Sequence, residues 1–194
     1  STDGSVAHIH QHYPNVVLIE SNVNVGFCIA NNRMVARATG QFILLLNNDA
    51  ALFPDALQAL LQEANRLAQP AILTLPQYDA TTGALVDRGC LLDPFYNPVP
   101  NLNPDRADVT MVIGACLWIP KSLWYELEGF PEWFGSIAED MYLCCRARFA
   151  GYRCGRCLAI GIGRGRVLGG IGWWVTGWLR RLRDGLCLSG IRRL

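Results

Sequence analysis

The side chains best suited by type to chemistry are Asn47, Asn48 and Asp49, which follow directly on the apolar run Phe42-Ile43-Leu44-Leu45-Leu46. Two amides and a carboxylate make a hard-oxygen set, suited to Mg2+ or Mn2+ held together with a phosphate. Asn and Asp also favour turns, so the stretch alone leaves a plain strand-ending turn open. Glu139-Asp140 is a second acidic stretch, at the head of a helical segment. Carboxylates in a first helical turn are favoured by the helix dipole, which gives this pair a structural reading. His8 and His12 are spaced i,i+4 and could share a metal. No Glu completes a zincin pattern with them, so they read as solvated helix residues. Cys154-x-x-Cys157 lacks a second pair at zinc-ribbon spacing.

The elements around these residues decide where they sit. Five consecutive large apolar residues read as a strand buried on both faces, as in the middle of a parallel sheet. The carboxyl end of such a strand is where open α/β sheets bind ligands. Upstream, capping residues at Ser1–Ser5 predict a helix to about Tyr13, and Val16–Ile19 reads as a short strand. A polar loop over Ser21–Phe27 leads into a helix over Ile29–Thr39, with Gly40 as its C-cap. Downstream, a helix follows Phe53-Pro54-Asp55 to about Gln69, and Ala71–Leu75 is a strand. Residues 76–108 are turn-rich, with Thr82-Gly83 as a hairpin tip. Val109–Pro120 reads as a strand with a bend at Gly114-Ala115, Lys121–Leu127 as a short helix, and Met141–Ala150 as a helix ended by Gly151. Helices alternating with strands through short connections predict a parallel α/β sheet.

With 194 residues, about half of them hydrophobic and few charged, the chain has enough material for one domain with a substantial core. The net charge of +1 hides an asymmetry. Residues 1–152 carry 8 basic and 15 acidic side chains, whereas residues 153–194 carry 9 Arg and a single Asp. Eight cysteines show no disulfide framework, and no secretory signal is recognisable, which points to a reducing, cytoplasmic setting.

The motifs in their order resemble the family 2 inverting glycosyltransferases with a GT-A fold, in particular the rhamnosyltransferase-like branch. Ser1-Thr2-Asp3-Gly4-Ser5 resembles the segment after that family's second strand. Asn24-Val25-Gly26-Phe27 through Asn31-Asn32 resembles its nucleotide-side loop and helix. Leu44 through Asp49 resembles this branch's form of the DxD motif, with an Asn in place of the first Asp. Gly114-Ala115, then Gly129-Phe130 through Glu139-Asp140 to Arg146, resembles its acceptor-side strand and Glu-Asp helix.

The resemblance implies an α/β, GT-A, Rossmann-like sheet over residues 1–153. It implies transfer of a sugar from a nucleotide-diphosphate donor to a saccharide or lipid-linked saccharide, with inversion. On this reading Asp49 binds Mg2+ or Mn2+ and the diphosphate, with Asn47 and Asn48 beside it. Asp140 is the general base, with Glu139 adjacent. Asn24, Gly26 and Asn31 line the nucleotide side; Gly114, Ala115, Trp133 and Arg146 lie on the acceptor side. An ion pair is an equal role for Arg146, and core capping an equal role for Trp133.

The family begins with strands that would precede Ser1, so the sheet is expected to be incomplete at its N-terminus. After Arg153 the likeness stops. Residues 154–194 form a Gly-, Arg- and Trp-rich tail, read either as a frameshift product or as a membrane-surface segment. Val167 to Arg183, apolar with three Trp and then basic, suits an interfacial anchor on an anionic membrane, giving a cytoplasmic protein peripheral to the inner face. No nucleic-acid module is recognisable. Two other classes remain: a catalytically inactive fragment or binding module, and a nucleotidyltransferase, which would want a Gly-rich basic phosphate loop.

Overall fold

A computed structural model describes residues 3–135, 137–157, 162–164 and 187–189. The run Phe42–Leu46 forms β1, with Ile43, Leu44 and Leu45 almost fully buried. Successive strand side chains alternate faces. Ile43 and Leu45 join one apolar cluster and Leu44 the other. Helices α2 (Phe27–Arg37), α4 (Lys121–Glu126) and α5 (Glu139–Phe149) pack on the first face, through Phe27, Cys28, Val35, Leu123, Trp124, Leu143 and Ala147. Helix α3 (Ala56–Arg66) covers the second face with Ala56, Leu57 and Leu60. The result is the helix-sheet-helix layering expected of an α/β protein.

The main sheet is mixed rather than purely parallel. Its order is β12 (Cys187–Ser189), β1, β9 (Cys116–Pro120), β3 (Ala71–Thr74), β10 (Arg153–Arg156), β8 (Asp108–Val109). Strand β9 runs antiparallel to β1, with Leu46 opposite Cys116. This register places the start of β9, and the Gly114-Ala115 bend before it, at the carboxyl end of β1. Strand β10 pairs parallel to β3 and carries the sheet past Arg153, where the family likeness ends in sequence.

A second sheet continues from that same edge. Strand β2 (Ala50–Leu52) follows β1, and β4 (Gln77–Asp79) follows β3; β11 (Ile162–Arg164) joins them, and β5 (Leu85–Asp87) closes the hairpin predicted at Thr82-Gly83. A separate hairpin pairs β6 (Cys90–Leu92) with β7 (Pro98–Pro100).

Three local expectations differ. Helix α2 starts two residues before Ile29 and ends at Arg37, because Ala38 is already extended (ψ 140) and Gly40 plays no capping part. Val16–Ile19 pairs with no strand among the described residues; Val17 is largely exposed, and a segment without a neighbour forms no ladder. The strand expected over Val109–Pro120 is split: β8 ends at Val109 and β9 starts at Cys116, with the Gly114-Ala115 bend between them, whereas helix α1 (Ser5–His12) forms as expected and buries no residue of its own. Residues 167–183 lie outside the described residues. Among the described residues no helix is long and apolar enough to cross a membrane.

Candidate active site

The carboxyl edge of β1 gathers several of the polar residues singled out by type. Asn47 leaves the strand, its N–H donating to the Ala115 carbonyl at 3.1 Å. Its own carbonyl accepts the Ala50 N–H at 3.1 Å, closing a four-residue turn that contains Asn48 and Asp49. The turn reading therefore holds locally, and it places Asp49 between the two sheets. Asn48 is exposed; Asn47 and Asp49 are half-buried.

Asp140 arrives at this edge from the far end of the chain. Its Oδ2 accepts the Gly114 N–H at 2.9 Å, and its Oδ1 accepts the N–H of Met141 at 2.7 Å. A Cβ added at Gly114 would lie 3.6 Å from Asp140 Oδ2 and 3.9 Å from Phe27 Cζ. The Gly114-Ala115 pair thus holds Asp140 on one side and the end of β1 on the other. One turn further along α5, Cys144 Sγ accepts the Val112 N–H at 3.5 Å, so α5 grips this segment twice.

Ala138, just before α5, has φ 66, a left-handed conformation that costs a non-glycine residue free energy. It turns the chain so that Glu139 enters the interior while Asp140 stays half-exposed. Burial, with the Glu139 charge nearby, pushes the Cys28 thiol up to about 11. Burial and then the carboxylates of Asp87 and Asp140 push Cys90 up to about 12. Both thiols stay protonated at neutral pH and are poor nucleophiles.

On the α2 side, Asn24 Oδ1 accepts the Gly26 N–H at 2.9 Å. Gly26 has φ 79 and ψ 169, a conformation confined to glycine, and the space where its Cβ would sit is open. Asn31 is buried, its amide donating to the Phe27 carbonyl at 3.0 Å, so it braces the first turn of α2 from within. Its neighbour Asn32, the second residue of the Asn31-Asn32 pair, reaches the backbone of Phe130.

Trp133 lies on a short 3-10 turn and is 77% exposed. Its ring is 4.9 Å from Phe134 and 6.3 Å, edge-on, from Tyr142. The core-capping alternative for Trp133 does not match that exposure. Arg146 pairs with Glu128 at 2.9 Å and lies over the Tyr142 ring, which is the ion-pair role.

His8 and His12 stack at 4.2 Å, with His12 Nδ1 3.0 Å from the His8 carbonyl. Cys154 and Cys157 join opposite clusters of the core and do not converge. Among the described residues no three His, Cys, Asp or Glu side chains converge as a metal site. A Mg2+ or Mn2+ carried by a diphosphate needs only one or two protein carboxylates. Asp49, flanked by Asn47 and Asn48 at an accessible strand end, fits that requirement.

Residues 1–124 match the family described as glycosyl transferase family 2, and the chain belongs to that family. Two curated relatives, both N-acetylglucosaminyl-diphospho-decaprenol L-rhamnosyltransferases, come from Mycobacterium tuberculosis strains CDC 1551 / Oshkosh and ATCC 25618 / H37Rv. Each is 26% identical over 182 residues, covering 78% of this chain and 59% of the relative. The chain thus spans 59% of the length of these relatives.

Two solved structures share the fold. The mannosyltransferase PcManGT from Pyrobaculum calidifontis, in complex with GDP-Man and Mn2+, superposes with a TM-score of 0.57 at 21% identity, covering 93% of this chain and 49% of that one. S. aureus TarS 1–349, in complex with UDP, superposes with a TM-score of 0.58 at 16% identity, covering 85% and 48%. The fold is therefore that of the glycosyltransferase-type α/β sheet expected from the motif order.

Proposed function

We propose that this chain carries the donor- and acceptor-handling core of an inverting glycosyltransferase. It would transfer a sugar, rhamnose or another hexose, from a nucleoside-diphosphate donor to a saccharide on a lipid carrier, as in cell-surface polysaccharide synthesis. The observation that carries this is the Gly114-Ala115 link, which sets Asp140 beside the end of the strand that bears Asp49.

In the reaction an acceptor hydroxyl oxygen attacks the anomeric carbon. The bond from that carbon to the diphosphate oxygen breaks, and its electron pair leaves with the nucleoside diphosphate. Asp140 takes the hydroxyl proton, its carboxylate aimed by the Gly114 and Met141 N–H groups. Glu139 lies next to it, buried in the first turn of α5. Asp49, with Asn47 and Asn48, would hold the diphosphate end and a bound Mg2+ or Mn2+. That metal, when present, supplies Lewis-acid stabilisation of the leaving group. Asn24 and Gly26 would shape the nucleotide side, and Asn31 would keep α2 in place beneath it. Gly114 and Ala115 leave room on the acceptor side, where exposed Trp133 offers a ring face for a sugar. Arg146 would steady Tyr142 and the start of α5.

The M. tuberculosis relatives, named for an N-acetylglucosaminyl-diphospho-decaprenol acceptor, support a lipid-linked substrate. Such an acceptor would bring the protein to the inner face of the cytoplasmic membrane, and residues 167–183 would serve as a peripheral contact.

The test is calorimetric binding of UDP, GDP and dTDP in the presence of Mn2+, for this chain and for a form extended upstream. Binding by either form supports the reading. No binding of any nucleoside diphosphate by the extended form overturns it.

A further inference from the structure

We infer that Asn32 is the positioning residue that locks the donor-side helix to the acceptor-side loop, and so favours sugar transfer over loss of the sugar to water. This rests on the glycosyltransferase reading above and extends it to a residue outside the proposed site. Asn32 lies on α2, the helix that begins at the Asn24–Gly26 turn. Its Nδ2 donates to the Phe130 carbonyl at 2.8 Å, and its Oδ1 accepts the Phe130 N–H at 3.1 Å. One side-chain amide thus holds both backbone groups of a residue 98 positions away.

The surroundings are built for this contact. Gly129 has φ +62, and a Cβ there would fall 2.8 Å from both Asn32 Oδ1 and Trp124 Nε1. Only glycine lets the backbone come so close. The Phe27 and Phe130 rings meet at 5.8 Å, and the Cys28 N–H donates to the Gly135 carbonyl at 3.4 Å. Phe27 also faces Gly114, the residue that holds Asp140. One helix therefore fixes the 129–135 segment, whose continuation opens the helix bearing Glu139 and Asp140.

The amide is specific to this role. The clamp needs one donor and one acceptor in a single planar group, which Asn supplies and Asp or Leu does not. Without it the Phe130 N–H and carbonyl lose their partner. Transfer requires the acceptor hydroxyl, the anomeric carbon and Asp140 in line; water can reach the same carbon from a less ordered site. Loosening the loop should therefore penalise transfer more than hydrolysis.

The test compares wild type, Asn32→Ala and Asn32→Asp in the intact protein. The probes are a nucleoside-diphosphate rhamnose donor and an N-acetylglucosaminyl-diphospho-polyprenol acceptor, with transfer and donor hydrolysis both measured. The ratio of the two rates does not depend on the fraction of enzyme that is folded, so a merely structural loss leaves it unchanged. Asn32→Asp keeps the shape of the side chain and covers the case in which Asn32→Ala does not fold. The expected result is a transfer-to-hydrolysis ratio lower by about tenfold or more in the variants, with nucleoside-diphosphate affinity within about twofold of wild type. An unchanged ratio beside normal wild-type transfer overturns this inference alone. A wild type that binds no nucleoside diphosphate and transfers nothing overturns the functional reading and this inference with it.

Discussion

Asp140 and Gly114 are joined by a 2.9 Å hydrogen bond from the glycine N–H to the Asp140 carboxylate. The next residue, Ala115, accepts the Asn47 N–H, so a helix start and a strand end nearly a hundred residues apart are tied across two peptide units. This relationship brings two acidic stretches that the sequence presents separately to one edge of the sheet.

Replacing Asp140 by Asn tests the base directly. Both carboxylate oxygens accept N–H groups, so the amide loses one of these bonds as well as its basicity. Turnover should fall by roughly 10²–10⁴-fold, while calorimetry shows nucleoside-diphosphate binding unchanged. Retained turnover would remove Asp140 as the base.

Asp49→Asn should act on the other half. The donor KM, and the Kd for nucleoside diphosphate with Mn2+, should rise by about tenfold or more. Chelation of divalent metal from the wild type should lower activity in the same direction. A variant that binds nucleotide as tightly as wild type would show that Asp49 is only a turn residue.

Two glycines should respond differently to Ala. Gly129→Ala combines positive φ with contacts at 2.8 Å, and should cost about 1–3 kcal/mol, read as a fall in Tm. Gly114→Ala meets nothing nearer than 3.6 Å and should stay within roughly 1 kcal/mol. Its methyl group beside Asp140 should instead raise the acceptor KM. Equal Tm losses in the two variants would contradict the packing described.

The buried thiols set an alkaline limit. Burial holds Cys116 and Cys157 protonated up to about 12 and Cys28 to about 11, from an ordinary value of 9.0. Above pH 9 the unfolded chain releases these protons while the folded chain keeps them, so stability is complete below pH 9 and is lost as pH rises towards 11–12. A Tm that stays level from pH 8 to 11 would show that these thiols ionise in the folded protein.

Much of this was legible in the residues. The apolar run at Phe42–Leu46 announced a buried strand because five large side chains admit little else, and Asp49 follows from its end. The Glu139-Asp140 helix start was visible from its acidic first turn. What the sequence did not reveal is contact across distance. Nothing local distinguishes Asn32, which clamps Phe130, from Asn31, which bonds back to its own helix; the difference is only the direction each faces on α2. The antiparallel course of β9 was hidden for a similar reason, since a buried strand reads the same in either direction. Val16–Ile19 shows the converse: β-branched residues mark a strand only where a neighbour pairs with it.

The most direct test of the central claim is the anomeric configuration of the product. With a nucleoside-diphosphate rhamnose and an N-acetylglucosaminyl-diphospho-polyprenol acceptor, proton NMR of the new linkage should show inversion relative to the donor. That result fits a single displacement assisted by Asp140 at the end of β1. A product with the donor's configuration retained would contradict it.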